Sequence, residues 1–495
     1  MVNEGSKINM KFLVVAPWGS PTTWHRAKYR VELAHPALKD LEAVEVESCS
    51  STKALAEQLR RKGDVKVLIF GIDTVAQPRE GENLRKSAEE MYRQWAEELG
   101  VDGDVVSLPG IGLFHGWRFT GRPLHLFNKA LYHVLKAAEE YEPHFIVVDL
   151  THGVNYQTVA VLYASVAASV LLGMEGSRGL IIYNSEPYPS NYRPGQCLKG
   201  AERVEVKTET PQLTALDVSQ LQTAIRLIRQ LAVLRALSPA KIEGIKGTDA
   251  ELCRRFEKVA ASYILLASGA AALVFPHAKY TDPEPVLYKP GTGPGDLPKP
   301  DDRVEVDYKN RVVKYGEANE GYPVAVALHY LEKTLDSFYS NDLVEFLNKV
   351  ADHYEKNGVV ILNKILRFTA DQLGNMAKAA EKLADKGRLE RHGDDIKLTQ
   401  LQAVALFENS VELQQQPDKD EWNKALQEAE RYLSEEKERK ITERNLRHLL
   451  AHGGYTHIAV EEVVIKNGKI TEVTYDGKVL SQLIQMLKPP KCGNR

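Results

Sequence analysis

The sequence KFLVVA at residues 11–16 leads directly into PWGSPTTWHRAKY at residues 17–29. The first segment does not alternate between apolar and polar side chains, which is typical of a strand buried on both faces of a sheet. Similar apolar runs occupy residues 65–71, 145–149 and 180–183. Buried strands separated by helical stretches are typical of an α/β fold, so we predict an N-terminal α/β domain with a mainly parallel sheet.

Between two of these strands the apolar residues recur at helical spacing, which predicts a crossover helix near residues 124–142. From residue 208 onward the pattern changes to long helical segments, clearest at residues 213–237 and 250–274. The Pro- and Gly-rich residues 288–300 interrupt these helices. This change of pattern marks the end of the α/β domain.

Two β-hairpins are predicted in the later part of the chain. The first joins residues 303–307 to residues 311–315 in the middle of the sequence. The second is the last element that we predict: residues 458–465 and 469–475 flank Asn467-Gly468, a favoured two-residue turn. Almost everything else beyond residue 323 is predicted to be helical.

The composition excludes several classes of protein. The chain has 495 residues, enough for about three domains, with 43% hydrophobic residues and a formal net charge of -3. A disordered or collagen-like chain is therefore excluded. A near-neutral balance also lacks the broad positive field of a protein that coats duplex nucleic acid.

Membrane insertion, export and disulfide bonding are not expected. Residues 1–11 lack the basic and apolar regions of a signal peptide. The apolar stretches at residues 159–174 and 259–275 are too short to span a bilayer, so we interpret both as buried helices. The cysteines lie far apart without a CxxC pair, at Cys49, Cys197, Cys253 and Cys492. This spacing favours neither a disulfide framework nor a zinc site, and a reducing cytoplasm fits best.

The segment after the first strand is the first candidate site. Ligands of open α/β sheets bind outside the carboxyl ends of strands, where backbone N–H groups meet anionic groups. Small and hydroxyl residues suited to phosphate or ribose contacts lie here, at Gly19, Ser20, Thr22 and Thr23. Trp18 and Trp24 are able to stack on a base. The alternative is a plain turn with two core tryptophans.

A second polar segment, DLTHGVNY at residues 149–156, follows another central strand and should share the same edge of the sheet. Thr151, His152 and Asn155 offer hydrogen bonds, and Gly153 permits close backbone approach. We predict an anion or nucleotide pocket here, with residues 184–186 on its rim, although a structural role for His152 remains the alternative. No GxxxxGK[ST] or GxGxxG motif is present, which argues against ATP hydrolysis and nicotinamide chemistry.

The third candidate is a helix in TERNLRHLLAHGG, residues 442–454, with Thr442 as N-cap and Gly453-Gly454 as its end. Its leucines form one apolar stripe, whereas Arg447, His448 and His452 project from the rest of the helix surface. Metal binding by His448, His452 and His457 is one interpretation, but the intervening residues lack the Glu of zinc proteases.

The other interpretation of this helix is metal-free cleavage of RNA. In that chemistry Arg447 stabilises charge on the phosphate and His452 moves or orients a proton. RNA suits such a site because its own 2′-OH is the nucleophile.

The segment from Arg447 to His452 resembles the R-x4-6-H motif of HEPN ribonucleases. Together with PWGSPTTW after the first strand and DLTHGVNY after a later one, the chain resembles the CARF-HEPN endoribonucleases of the Csx/Csm type that accompany type III CRISPR systems. This resemblance implies a Rossmann-like CARF domain over residues 1–200, a mainly helical connector with a hairpin over residues 201–320, and a helical HEPN domain over residues 321–495.

The resemblance further implies a single-stranded RNA endoribonuclease that needs no metal or other cofactor and leaves 2′,3′-cyclic phosphate and 5′-hydroxyl ends. A cyclic oligoadenylate made by the type III effector complex, most commonly the tetra-adenylate, would activate it. The protein would be a homodimer or a larger homo-oligomer, with Arg447 and His452 of two HEPN domains in one composite site and His448 in support. The residues implied at the ligand site are Trp18, Gly19, Ser20, Thr22, Thr23, Thr151, His152, Gly153 and Asn155.

Several alternatives stay open from the sequence. CARF-like domains also occur fused to DNA-binding modules, so a ligand-responsive nucleic-acid-binding regulator is the main competing function. A second alternative is a CARF domain that also cleaves its own activator and thereby limits the signal. The sequence leaves open the ring size of the activator, the base preference at the cut, the oligomeric state beyond the dimer and the role of the middle region.

Overall fold

The computed structural model describes residues 9–32, 35–39, 41–174, 179–188, 197–198, 212–217, 250–317, 319, 322–356, 359–437 and 443–487. The strands, in chain order, are β1 (Met10–Pro17), β2 (Ala27–Val31), β3 (Val44–Ser48), β4 (Gly63–Ile72), β5 (Asp104–Leu108), β6 (Ile111–Phe114), β7 (Trp117–Thr120), β8 (Phe145–Asp149), β9 (Gly179–Ser185), β10 (Gln212–Asp217), β11 (Ala278–Tyr280), β12 (Val304–Asp307), β13 (Val312–Tyr315), β14 (Arg391–His392), β15 (Asp395–Thr399), β16 (Val460–Lys466) and β17 (Lys469–Tyr475).

The helices, in the same order, are α1 (Ser51–Arg60), α2 (Leu84–Leu99), α3 (Pro123–Tyr141), α4 (Asn155–Leu171), α5 (Ala250–Ala267), α6 (Tyr322–Asp336), α7 (Leu343–Lys356), α8 (Val360–Asp385), α9 (Gln400–Glu408), α10 (Ser410–Gln415), α11 (Lys419–Lys437), α12 (Glu443–Ala451) and α13 (Gly477–Met486). Two compact units result: Met1–Leu234 with Leu297–Val326, and Arg235–Asp296 with Ala327–Arg495.

The first unit is built on an eight-stranded sheet with the order β3-β2-β10-β9-β8-β1-β4-β5. Its centre is parallel: β9, β8, β1, β4 and β5 all run in one direction. The four predicted central strands are therefore confirmed. The apolar residues of β1 are buried because helices cover both faces of the sheet; Phe12, Leu13, Val14 and Val15 have no exposed surface.

The order of these strands indicates where on the sheet a ligand is able to bind. In the parallel centre of the sheet, β4 and β5 lie on one side of β1, and β8 and β9 lie on the other side. The loops that follow β1 and β8 therefore lie next to each other at the carboxyl ends of parallel strands, where ligands of such sheets commonly bind. The predicted crossover helix is α3, which ends at Glu142 in the left-handed conformation.

The helix predicted over residues 213–237 is wrong at its start, because residues 212–217 form strand β10. This strand pairs with β2 and β9, so hydrogen bonds within the sheet override the helical spacing of its apolar residues. Residues 218–237 lie outside the described part of the chain. The helix predicted over residues 250–274 is α5, followed by a short 3₁₀ helix at Ala271–Val274.

The prediction from the cysteine spacing that no disulfide forms is also wrong. Cys49, just after β3, is bonded to Cys197, and 148 residues separate them in sequence. The backbone N–H of Cys197 donates to the carbonyl oxygen of Trp24 at 3.3 Å. The disulfide thus ties the segment beyond β9 to the residue that follows β3, and the hydrogen bond ties the same segment to the loop after β1. No described helix is long and apolar enough to cross a membrane.

The middle hairpin belongs to the first unit. Strands β12 and β13 pair at the predicted residues, and β13 also pairs with β7, so that the sheet β12-β13-β7-β6 forms. Asp302, next to β12, forms ion pairs with Arg85 and with Lys129, the latter at 2.8 Å. Arg85 also pairs at 3.2 Å with Asp73, whose side chain is completely buried. These charges fix the hairpin on α2 and α3.

The second unit packs helices against the sheet β11-β17-β16-β15-β14. Strands β16 and β17 form an antiparallel hairpin that turns at Asn467 and Gly468, both with positive φ. This hairpin is not the last element, because α13 follows it. Asp476 caps α13 by accepting hydrogen bonds from the N–H groups of Lys478 and Val479.

Candidate functional site

A cavity of about 660 Å³ lies at the carboxyl ends of β1, β8 and β9. Pockets that hold small ligands commonly have volumes of about 300–1,000 Å³. The cavity therefore lies at the predicted edge of the sheet and has the size of a ligand site. Its lining consists of Thr23, Trp24, His25, Tyr29, Leu150, Thr151, His152, Gly153, Asn155, Thr158, Val159, Asn184, Ser185, Glu186, Pro187 and Tyr188.

The structure brings together some of the residues that the sequence predicted at this site. Thr23, Thr151, His152, Gly153 and Asn155 all line the cavity. Residues 184–186, predicted on the rim, line it as well. The loops after β1 and β8 are in direct contact: the backbone N–H of Gly19 donates to the carbonyl oxygen of His152 at 2.7 Å.

Four predicted ligand residues are not among those that line the cavity: Trp18, Gly19, Ser20 and Thr22. Trp18 is completely buried and its indole N–H donates to Thr52 Oγ1 at 3.0 Å. It is a core residue, so it offers no free face for a base. Gly19 provides the N–H that joins the two loops, while the hydroxyl groups of Ser20 and Thr22 lie 2.8 Å from each other.

The floor of the site is organised around Asp149, the last residue of β8, which is 2% exposed. Its carboxylate accepts hydrogen bonds from the hydroxyl groups of Ser51 at 2.6 Å, Thr52 at 2.8 Å and Thr151 at 2.7 Å. Thr151 Oγ1 in turn accepts the N–H of Ser185 at 3.1 Å. A buried carboxylate needs such donors, and here they connect the ends of β8 and β9 with the start of α1.

His152 is held from three sides. Its ring stacks on Trp24, with 3.8 Å between ring centroids and 20° between planes. Its Nε2 accepts the backbone N–H of Ser51 at 3.1 Å, and the Tyr29 hydroxyl lies 3.4 Å from the same nitrogen. Burial lowers the pKa of His152 to about 4, against a smaller opposite effect of Asp149. The imidazole is therefore neutral near pH 7.

Gly153 is required by the close contact of the loop with helix α4. A Cβ atom at this position would lie 2.1 Å from Thr158 Oγ1 and 3.0 Å from Pro17 Cβ. Helix α4 then begins at Asn155, so its free N–H groups lie at the cavity wall, where they favour an anionic ligand group. The Oγ1 atom of Thr158, another wall residue, is buried without a hydrogen-bond partner among the described residues.

Trp24, predicted as a stacking residue, lines the cavity, but sequence reasoning missed the other aromatic residues of the wall. His25, Tyr29 and Tyr188 line the cavity, with the rings of His25 and Tyr188 5.3 Å apart. Burial raises the pKa of Tyr29 well above its usual value, so its hydroxyl stays protonated. The available sequence signal for Tyr29 was the alternation of apolar and charged residues in AKYRV, the sequence of β2. Tyr188 carries no comparable signal, because it follows β9 in a segment without periodicity.

The C-terminal candidate lies on α12 in the second unit. Arg447 is exposed on this helix, whereas Leu449 is completely buried, as the predicted apolar stripe requires. Gly453 and Gly454 both have positive φ, and the N–H of Gly454 donates to the carbonyl oxygen of Leu449 at 2.8 Å. The helix therefore ends where we predicted. Thr442 and the side chain of His448 lie outside the described part of the structure.

His452 follows the last turn of α12 and is partly buried. Its ring meets the edge of Phe407 at 5.7 Å and lies 6.5 Å from the ring of His457. Desolvation lowers the pKa of His452, which keeps the imidazole neutral near pH 7. His457 is 1% exposed, and its Nε2 lies 3.5 Å from Glu408 Oε1. Within the described residues, no three His, Cys, Asp or Glu side chains meet in an arrangement for a metal ion.

One comparison with known proteins gives a family match within the first unit. Residues 13–187 match the family described as CRISPR system endoribonuclease Csx1, CARF domain. A protein of Methanocaldococcus jannaschii with the name CRISPR system endoribonuclease Csx1 is 27% identical over 190 residues, which cover 36% of this chain and 37% of that protein. The similar region thus spans little more than a third of the length of this relative.

Two solved structures of a deacetylase from teicoplanin biosynthesis, one of them a zinc-inhibited form, are also similar. They are 12% and 11% identical, with TM-scores of 0.22 and 0.21, and both alignments cover 40% of this chain and 73% of the other. Likeness at this level supports no conclusion about function. The family match coincides with the strands and loops that build the cavity, and residues 13–187 are therefore similar to the CARF domain of CRISPR system endoribonuclease Csx1.

Proposed function

We propose that this protein is a cytoplasmic, cyclic oligoadenylate-activated endoribonuclease of type III CRISPR defence that cleaves single-stranded RNA without a metal. The observation that carries the proposal is the cavity at the carboxyl ends of β1, β8 and β9, within the residues that match the CARF family, lined by Thr151, His152 and Asn155. Helix N–H groups suit phosphates, and the aromatic wall suits adenine rings. The tetra-adenylate is the activator that we propose.

The proposed activator requires two copies of the cavity, because a cyclic ligand with rotational symmetry presents identical groups to identical loops. Helix α4 offers a surface for such a dimer. Val159, Tyr163 and Val170 are 52%, 61% and 44% exposed, and their spacing of four and seven residues places them on one face. Val159 also lines the cavity. A second copy packed on this face of α4 would bring the two cavities together.

Ligand binding changes activity only when the ligand binds the active arrangement of the dimer more tightly than the inactive one. We propose that the second unit, through the HEPN domain predicted at residues 321–495, is the part that responds. The connector predicted at residues 201–320 would transmit the change. The CARF domain would then sense the cyclic oligoadenylate that the effector complex makes.

In the proposed cleavage, neutral His452 accepts the proton of the RNA 2′-OH, and the 2′-oxygen attacks the adjacent phosphorus. The bond from phosphorus to the 5′-oxygen then breaks, and the 5′-oxygen takes a proton from water, which yields a 2′,3′-cyclic phosphate and a 5′-hydroxyl. Arg447 is exposed and permanently charged, and stabilises the negative charge on the phosphate oxygens in the transition state. His448 would support the site, and Arg447 and His452 of a second copy would complete it.

The chemistry of the product ends tests this proposal. RNA incubated with the protein, cyclic tetra-adenylate and EDTA should yield fragments whose masses show a 2′,3′-cyclic phosphate and a 5′-hydroxyl. Arg447→Ala should abolish these fragments, whereas Arg431→Ala, which removes another exposed arginine from α11, should not. Fragments with 5′-phosphate ends would contradict the mechanism. Ligand binding without any cleavage would instead support the nucleic-acid-binding regulator.

A further inference from the structure

The disulfide between Cys49 and Cys197 lies next to the candidate ligand cavity. The backbone N–H of Cys197 donates to the carbonyl oxygen of Trp24 at 3.3 Å. Trp24 lines the cavity, and its ring stacks on the imidazole of His152, another wall residue, with 3.8 Å between ring centroids. One end of the disulfide is therefore a single hydrogen bond away from the stacked ring pair of the cavity wall.

The other end of the disulfide leads to the same imidazole by a second route. Cys49 is followed by Ser50, which has no exposed surface, and then by Ser51, the first residue of α1. The backbone N–H of Ser51 donates to Nε2 of His152 at 3.1 Å. The disulfide thus connects two segments that hold His152 from different sides.

Reduction of this disulfide should loosen the cavity wall without unfolding the first unit. Leu198, next to Cys197, is 7% exposed and packs into the same apolar core as Trp24. The segment therefore keeps an apolar anchor in the reduced protein, but its hydrogen bond to Trp24 is no longer fixed by a covalent bond. A wall that must be ordered when the ligand arrives binds that ligand less tightly.

The two sulfur atoms differ in their access to a reductant. Cys197 is partly exposed, whereas Cys49 is 9% exposed, so an incoming thiolate attacks Sγ of Cys197 and forms a mixed disulfide there. Cys49 then leaves as a thiolate. It lies two residues before the start of α1, where the N-terminal end of a helix favours a negative charge.

We propose that the Cys49–Cys197 disulfide is a redox switch of the ligand cavity: the oxidised protein binds the activator more tightly, and a dithiol reductant lowers this affinity. In the second step the other thiolate of the reductant attacks the reductant sulfur of the mixed disulfide and releases Cys197. Two electrons and two protons thus pass from the dithiol to the two cysteines, and the reductant becomes a disulfide. Disulfides of cytoplasmic proteins commonly have such redox-sensing roles. The proposal rests on the proposed function, because it concerns the regulation of that same cavity in the cytoplasm.

Calorimetric titration with cyclic tetra-adenylate measures the effect on affinity. The oxidised full chain should bind this probe about 3- to 10-fold more tightly than the chain in excess dithiothreitol, a factor that corresponds to the loss of about one hydrogen bond. The double variant with Cys49→Ser and Cys197→Ser should bind with the weaker affinity whether or not the reductant is present. Cys253→Ser, a change in the second unit, should keep the full difference. Equal affinity of the oxidised and the reduced wild type would overturn the proposal and leave the disulfide a purely structural role.

Hydrogen exchange tests the loosening of the wall without any ligand. Reduction should speed the exchange of the backbone N–H groups of Cys197 and Ser51, which donate to wall residues. The control is the N–H of Lys11, which His144 accepts at 3.1 Å at the opposite edge of the sheet. Unchanged exchange at Cys197 and Ser51, or an equal increase at all three positions through general unfolding, would overturn the proposal.

The two measurements separate this proposal from the proposed function. Faster exchange of these N–H groups on reduction, in a protein that binds no cyclic tetra-adenylate in either form, would support redox control of the cavity and contradict the proposed activator. Activator-dependent RNA cleavage with the same activation midpoint in oxidised and reduced protein would support the ribonuclease and contradict the redox switch.

Discussion

Replacement of His152 by alanine should weaken the response to the activator. The imidazole stacks on Trp24 and accepts the backbone N–H of Ser51 at 3.1 Å. The alanine side chain has neither a ring nor an acceptor, so this N–H loses its partner and the loop after β8 loses its ring contact with Trp24 in the loop after β1. A buried N–H without a partner costs about 1–3 kcal/mol, and a ring pair contributes about 0.5–1.5 kcal/mol.

Together these costs amount to about 1.5–4.5 kcal/mol. We expect about 1.4–2.8 kcal/mol of this to be lost from ligand affinity, which corresponds to a decrease of roughly 10- to 100-fold. We therefore expect His152→Ala to raise the concentration of cyclic tetra-adenylate that gives half-maximal RNA cleavage by this factor. The maximal cleavage rate should stay unchanged, because Arg447 and His452 are not altered. A fluorescent single-stranded RNA, titrated with activator, measures both quantities.

The matched control is His144→Ala. His144 accepts a backbone N–H, that of Lys11, at 3.1 Å, but it lies just before β8, at the opposite edge of the sheet from the cavity. Its removal should lower the stability of the first unit without a change in the activation midpoint. An unchanged midpoint in His152→Ala, or an equal shift in both variants, would refute the role given to His152.

Three further predictions concern the same two sites. Gly153→Ala should weaken binding of the activator in calorimetry because its Cβ would clash with Thr158 Oγ1, and addition of Thr158→Ala should restore part of the affinity; no difference between the single and the double variant would contradict this packing. Asp149→Asn should lower the free energy of unfolding of the first unit by about 2–4 kcal/mol in urea titrations, since a neutral amide replaces the buried acceptor of three hydroxyl groups; an unchanged value would contradict the role of the carboxylate. Because burial lowers the pKa of His452 and only the neutral imidazole accepts a proton, activator-saturated cleavage should fall with decreasing pH only below about 6.5; a midpoint above that value would argue against His452 as the base.

The sequence was informative where one local pattern determines the structure. The runs that became β1 and β8 consist of residues buried on both faces, so their apolar character alone identifies them. Polar residues directly after such strands must lie at one edge of a parallel sheet, and Thr151, His152 and Asn155 do meet there. The end of α12 was equally local, because Gly453 and Gly454 adopt the positive φ that glycine favours.

Features that depend on distant partners could not be predicted. Trp18 is a core residue because Thr52 on α1 accepts its N–H, and no pattern near Trp18 indicates that contact. The disulfide between Cys49 and Cys197 joins segments 148 residues apart. Strand β10 has apolar residues at helical spacing, yet pairing with two neighbouring strands determines its structure.

The central claim is that ligand binding in the CARF domain switches on a metal-independent ribonuclease. Cleavage of a fluorescent single-stranded RNA in EDTA, with and without cyclic tetra- or hexa-adenylate, tests it most directly when the wild type is compared with His452→Ala. The account predicts cleavage that needs the activator, proceeds in EDTA and disappears in the variant. No cleavage under any of these conditions, or equal cleavage by the variant, would contradict it.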